Sequence, residues 1–290
     1  MKKFSFIMIF FSLLITPLFA ESPQGINEEL LLGSLRKALS VRSGIELRLS
    51  SFTEAPVPAF FRAQLLASWS GGERREEIYI SKDGRYYVVG KMFDAFEDMD
   101  QVRMHMMDLS NSPFKGSSTA PVVIVEFADF QCTACKNAYQ AMKNDKLFAE
   151  YSEKVKFVFK SYPVSSQHKW AEKASIAAFC AQEQGMDNFW QLLESIYENQ
   201  NDIVLENLRQ RVMEYIDKMG IDKKKFETCY DKDLTRNALN RDIADAKKLD
   251  IYSTPTFYIN GRTVIGNPGT AELKKLINEF LGQSKVDAAP

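Results

Sequence analysis

Histidine is almost missing from this chain of 290 residues, which holds only His105 and His168. A structural zinc site takes four nitrogen or sulfur ligands. Beyond its four cysteines the chain has little to offer a metal, and no metal or organic cofactor is implied. An excess of one charge is missing too, with 37 Lys and Arg against 38 Asp and Glu, a net charge of −1. No global field therefore draws in nucleic acid or an anionic membrane. After the first twenty residues no apolar run is long enough to span a bilayer. There is no internal repeat. A hydrophobic share of 45% is that of an ordinary globular protein, and the length allows two domains.

The one long apolar run comes first. Lys2 and Lys3 precede Phe4 to Ile15, interrupted only by Ser5 and Ser12, and Pro17 leads into Leu18-Phe19-Ala20. Residues 1–20 read as a signal peptide cleaved before Glu21, with an uncleaved anchor as the other reading because Leu18 is large for a cleavage site. No cysteine follows the run, which argues against a lipoprotein. Export, to the periplasm, puts the four cysteines in an oxidising compartment.

The chain turns on Val122 to Cys135. Val122 to Val125 is apolar and β-branched, the pattern of a strand buried on both faces. After a short polar break, Cys132 and Cys135 open a helical pattern that continues through Ala138, Met142 and Phe148. Two cysteines three apart on a first helical turn can close a small disulfide. The first of them meets free N–H groups and the positive end of the helix dipole, which stabilise a thiolate. A thiolate is the species that attacks disulfides. A structural disulfide, or half of a zinc site, is the competing reading.

Glu-Phe-x-x-Phe-x-Cys-x-x-Cys from Glu126 to Cys135 resembles the DsbA-type branch of the thioredoxin superfamily. Two further stretches match in the family's order. One is Ala177-Ala178-Phe179-Cys180-Ala181 with Gln184-Gly185 and Phe189-Trp190; the other is Ser253 to Arg262. The likeness covers roughly residues 115 to 283 and implies an α/β fold, thioredoxin-like with an inserted helical domain. It also implies that Cys132 is the exposed nucleophile and Cys135 the shielded resolving thiol. Thr254-Pro255 would be a cis peptide facing them. Glu126 would be the buried acid that moves the resolving thiol's proton, where the residues alone allow a solvated strand-end carboxylate. Lys160 on the next strand is its candidate partner. Cys180 and Cys229, on apolar helical stripes, could be buried free thiols, yet many relatives bridge them. Closing that loop would contribute roughly 4 kcal/mol at the upper end. His168 and His105 receive no role.

The domains expected are an N-terminal α+β domain over 21–109, a linker over 110–121 marked by two prolines, Gly116 as a breaker and a Ser-Ser-Thr run, and a thioredoxin-like domain over 122–283. The helical insertion falls at about 167–250 and a tail follows at 284–290. In the N-terminal domain, Glu28 to Val41 has helical spacing, Ile45 to Leu49 alternates as a strand, and Phe60 to Trp69 reads as another. Lys82-Asp83-Gly84 between Glu77–Ile80 and Tyr86–Val89 is a hairpin signal. This region resembles, more weakly, the dimerisation domain of DsbC and DsbG. Met99, Met104, Met106 and Met107 read as packing residues.

Together these imply an exported thiol–disulfide oxidoreductase of protein substrates, as oxidase or as isomerase or reductase. Its electrons would pass to a membrane partner resembling DsbB or come from one resembling DsbD. The alternative is a redox-silent chaperone or peptide-binding module. Thr254 matches the Thr-Pro of DsbC and DsbG and favours a dimeric isomerase. Thr133 and Ala134 match neither of the best-known intervening dipeptides, so they leave the potential open.

Overall fold

The computed structural model describes residues 22–286, and the side chains up to 282. The expected signal peptide lies outside the described residues. Two compact units divide after Ala95.

In the first unit, α1 (Glu28–Ala38) starts where the Asn27 side chain accepts from Leu30 N–H, and it carries acids in its first turn and bases in its last. Its buried Leu31 and Leu35 cover one face of an antiparallel sheet, β1 (Glu46–Glu54), β2 (Phe60–Trp69), β3 (Gly72–Ser81) and β4 (Tyr87–Val89), in that order. Alternate residues Leu47 and Leu49, Ala63 and Leu65, and Ile78 and Ile80 face the helix. The β3–β4 hairpin turns at Asp83-Gly84: Asp83 accepts from Ser81 Oγ and Arg85 N–H. Gly84 has φ +70°, and a Cβ there would come within 3.0 Å of the Gly25 carbonyl.

The second unit begins with α2 (Met99–His105), capped by Asp98. There follow β5 (Phe114–Gly116), β6 (Val122–Ala128), α3 (Thr133–Asn144), α4 (Leu147–Glu150) and β7 (Val155–Ser161). The helices α5 (Ala171–Gln182), α6 (Met186–Glu198), α7 (Leu208–Met219), α8 (Lys223–Asp231) and α9 (Arg236–Lys248) come next. The chain then closes with β8 (Thr256–Ile259), β9 (Arg262–Ile265) and α10 (Gly269–Val286). The sheet order is β5-β7-β6-β8-β9, with β6 and β7 parallel and the other pairs antiparallel.

Period-two alternation splits β6 between two cores. Val122 and Ile124 face α3, α10 and the inserted helices, whereas Val125 and Phe127 face α9 and Met107. Cys180 on α5 and Cys229 on α8 are joined by a disulfide.

Two boundaries differ from the sequence reading. The stretch 110–121 is not a free linker, because Phe114–Gly116 pairs as an edge strand with β7. Gly116, at φ +87°, lies so close to the Val155 carbonyl that a Cβ would stand 2.0 Å from it. The glycine read as a breaker is what lets the strand approach. Likewise α2 and Met107 belong to the second unit, with Met107 buried beside Val125, Phe127 and Tyr258. Met106, by contrast, is 39% exposed.

Candidate active site

The C-terminal end of β6 delivers the chain to the thiols. The parallel register pairs Glu126 with Phe159 and Phe127 with Lys160. Asp129 shapes the turn that follows. Its wholly buried carboxylate accepts from Gln131 N–H, Val164 N–H and His168 Nδ1, each at 2.7 Å. Gln131 in turn accepts from Trp170 N–H at 3.0 Å. The turn before the cysteines is thus bound to the segment between β7 and α5, and His168 belongs to that clamp.

Cys132 is the N-cap of α3, and its sulfur accepts from Cys135 N–H at 3.4 Å. A cap site exposes the unpaired N–H groups of the first turn, so a sulfur there meets donors on its helix side. The Thr254 carbonyl lies 3.5 Å from the same sulfur, and the Thr254–Pro255 peptide is cis. Behind Cys132, the Gln200 side-chain amide donates to the carbonyls of Phe130 (2.9 Å) and Cys132 (3.2 Å). The Phe130 carbonyl has left the strand ladder, so a buried side chain satisfies it instead, while the Cys132 carbonyl also accepts from Lys136 N–H at 3.1 Å.

The two thiols are electrostatically unlike. A hydrogen bond from Cys135 heads the causes that bring the Cys132 thiol down to about 6, with Thr254 and the N–H groups of Cys135 and Ala134 adding to it against burial. Burial pushes Cys135 well up, and the hydrogen bond to Cys132 and the charges of Glu126 and Cys132 act in the same direction. Cys132 retains 8% exposure and Cys135 none. One thiol is therefore ionised at neutral pH and, though buried rather than exposed as the sequence suggested, keeps a small opening to solvent, and the other is protonated and covered.

Glu126 is 1% exposed, and neither of its carboxylate oxygens has a hydrogen-bond partner. Burial, then the negative charge of Cys132, raises its carboxyl to about 8. Lys160 is not its partner. Register places Lys160 beside Phe127, on the opposite face of the sheet. There its ammonium binds Asp242 and Asp245 of α9, both at 2.8 Å, and the Asp108 carbonyl.

Cys132, Cys135, Glu126, Thr254 and Pro255 thus lie around one end of the sheet. Cys180 and Cys229 lie apart, within the helical insert. The sequence reading did not single out Asp129 or Gln200. Asp129, two residues before Gln131, carries the signal of an Asx turn. Nothing local marks Gln200, whose targets lie 70 and 68 residues away in sequence.

A thioredoxin family profile matches residues 108–279, more than half of the chain. Among curated proteins, the Na(+)/H(+) antiporter NhaA 3 of Salinispora tropica is 28% identical over 156 residues, 54% of this chain. The chain spans only 22% of that antiporter's length. A protein named probable disulfide bond formation protein D, from Bacillus cereus, is 28% identical over 202 residues, which cover 67% of this chain and 90% of that protein. Among solved structures, oxidised BdbD from Bacillus subtilis shares the fold at a TM-score of 0.54 and 23% identity, over 61% of this chain and 96% of its own. With that profile matching more than half of its length, and with solved structures sharing the fold of its second unit, the chain belongs to the thioredoxin family.

Proposed function

We propose that this protein is an exported thiol–disulfide oxidoreductase that exchanges disulfides with substrate proteins. The observation that carries the reading is the pairing of an accessible Cys132, lowered to about 6, with a covered Cys135 raised well above the ordinary thiol range. The match over most of its length to a protein named for disulfide bond formation supports it.

In the oxidising direction a substrate thiolate attacks Cys132 Sγ of the Cys132–Cys135 disulfide. A mixed disulfide forms and Cys135 leaves as a thiolate. Glu126, protonated at neutral pH, gives that thiolate its proton. A second substrate thiolate then attacks the substrate sulfur and releases Cys132 as a thiolate, which its hydrogen bonds stabilise. The substrate gains one disulfide, and two electrons rest on the cysteine pair. They pass to a membrane partner resembling DsbB; in the reducing direction they come from one resembling DsbD. In reverse, Glu126 as a carboxylate takes the Cys135 proton, and the thiolate resolves the mixed disulfide. Substrate chain would lie along the Thr254–Pro255 peptide, where Tyr252 and Ile265 are largely exposed.

Equilibration with glutathione buffers, followed by mapping of the disulfides, tests the reading. A Cys132–Cys135 disulfide should open and close reversibly while Cys180–Cys229 stays shut. A pair that stays inert across the range would instead favour the redox-silent peptide-binding module. Thr254 and the N-terminal unit would suit a dimeric isomerase and the helical insert an oxidase, and recovery of scrambled ribonuclease would distinguish the two.

A further inference from the structure

Asp129 lies on the turn that leads to Cys132, and the segment between β7 and α5 holds that turn from one side. Tyr162 N–H donates to the Ala128 carbonyl at 2.8 Å, Val164 N–H to Asp129 Oδ2 at 2.7 Å, and Trp170 N–H to Gln131 Oε1 at 3.0 Å. Those three donors are backbone groups, which most sequences would supply. The fourth is a side chain: His168 Nδ1 stands 2.7 Å from the same Asp129 oxygen that Val164 reaches. His168 N–H also donates to the Val164 carbonyl at 2.9 Å, so both donors to that oxygen belong to one closed turn. A carboxylate can only accept, so the proton between them rests on Nδ1, whichever charge the ring carries.

From Asp129 the bonds continue to the thiol. Its other carboxylate oxygen accepts from Gln131 N–H at 2.7 Å, and its carbonyl accepts from Cys132 N–H at 3.1 Å. The residue fixed in this way is the N-cap of α3, whose sulfur accepts from Cys135 N–H at 3.4 Å. A cap bond depends on the backbone angles of the cap residue, so a turn that loosens just before Cys132 draws the sulfur off the helix N–H groups. Asp129 is wholly buried, and a buried carboxylate that loses one of its donors is driven to rearrange.

We propose that His168 is a positioning residue for Cys132: through the Asp129 carboxylate it holds the turn that sets the Cys132 sulfur on the first N–H groups of α3. The proposal rests on the thiol–disulfide reading above, because the sulfur it positions is the one that attacks. In that step the Cys132 thiolate forms a bond to one sulfur of a substrate disulfide, the substrate S–S bond breaks, and the other sulfur departs as a thiolate. His168 neither gains nor loses a proton in it. Its contribution is a charge-assisted hydrogen bond in a buried place, where such a bond is strong.

Ultraviolet absorbance of the reduced protein against pH reads the Cys132 thiolate, whose midpoint in the native protein should lie near 6. His168→Leu keeps the bulk and removes the donor. Its midpoint should rise by about one pH unit, and its equilibrium with glutathione at pH 8 should move about tenfold towards the disulfide, as one unit of pKa requires. His168→Asn should return both to native values, because its Nδ2 stands as many bonds from Cα as Nδ1 does and supplies the same donor. His168→Met repeats the loss if the leucine variant does not fold. His105→Leu, at an exposed position of α2, should alter neither reading. A donorless variant that melts earlier but keeps the native midpoint and glutathione equilibrium would show a structural contact only and overturn the proposal. So would an asparagine variant no closer to native than the leucine one. A native protein whose thiol pair stays inert towards glutathione would overturn the functional reading, and this inference with it.

Discussion

At the scale of single residues, the contrast between Cys132 and Cys135 arises from position on one helix. Three residues separate a sulfur at the N-cap from one inside the first turn, which the core covers completely. Because the bond from Cys135 is the largest influence on Cys132, Cys135→Ala should move the thiolate midpoint upward from about 6, as read by ultraviolet absorbance against pH. An unmoved midpoint would assign the effect to the helix N–H groups alone. Glu126 has the opposite sign for stability. Its pKa is raised from 4.5 to about 8, so the folded state holds the proton more tightly than the unfolded one. The stabilisation is full below about pH 4.5, falls as pH rises, and is gone above about 8. Oxidised protein is the better sample, since Cys132 no longer titrates while burial remains. There the unfolding free energy should fall from pH 5 to pH 8, and Glu126→Gln should flatten that fall by an amount on the order of a few kcal/mol.

At the scale of elements, the site depends on parts that carry no chemistry. Gln200, 6% exposed, is the clearest case. Gln200→Ala would leave the Phe130 carbonyl without this donor and the Cys132 carbonyl with Lys136 N–H, and denaturant unfolding should show a loss of about 1–3 kcal/mol. On the other face of the sheet, Lys160 ties β7 to α9 through Asp242 and Asp245, all three buried. Burial raises the Asp242 carboxyl to about 6 in spite of the ammonium beside it. Lys160→Met would leave Asp242 without an ammonium, whereas Asp245 keeps Lys248 at 2.8 Å, and a buried charge that loses its partner costs about 3–5 kcal/mol. The loss should be greatest above pH 6, where Asp242 would otherwise be ionised. The disulfide between α5 and α8 spans 49 residues, which in the chain-entropy model corresponds to roughly 4 kcal/mol. That stabilises the insert without touching the thiol pair.

At the scale of the molecule, the chain consists of two units with separate cores. Dimerisation through the N-terminal unit is a proposal with a direct measurement. Light scattering on the mature protein should give twice the chain mass, and a version starting at Phe96 should give one chain mass. The cut belongs there because Met107 is buried in the core of the second unit and Phe114 lies in its sheet. A full-length protein that remains single at micromolar concentration, and cannot rescue scrambled ribonuclease, would remove the dimeric isomerase and leave a monomeric oxidase.

Much of this was legible in the residues because it rests on local rules. An apolar β-branched run followed by C-x-x-C determines a strand, a turn and a helix whose first residues can hold a thiolate. Asp83-Gly84 between β-rich runs determines a hairpin, and the heptad-like spacing of Leu273, Leu276, Ile277 and Phe280 determines the last helix. Tertiary structure decided what depends on register and on distant approach. A shift of one position places Lys160 on the face away from Glu126, since side chains alternate along a strand. Gly116 reads as a breaker until the Val155 carbonyl comes against it, and nothing local marks Gln200 until the turn after α6 brings it to the segment before α3. Composition and periodicity describe one segment at a time, whereas burial, pairing and the perturbed acidity of Glu126 arise only when segments far apart in sequence close around the same small volume.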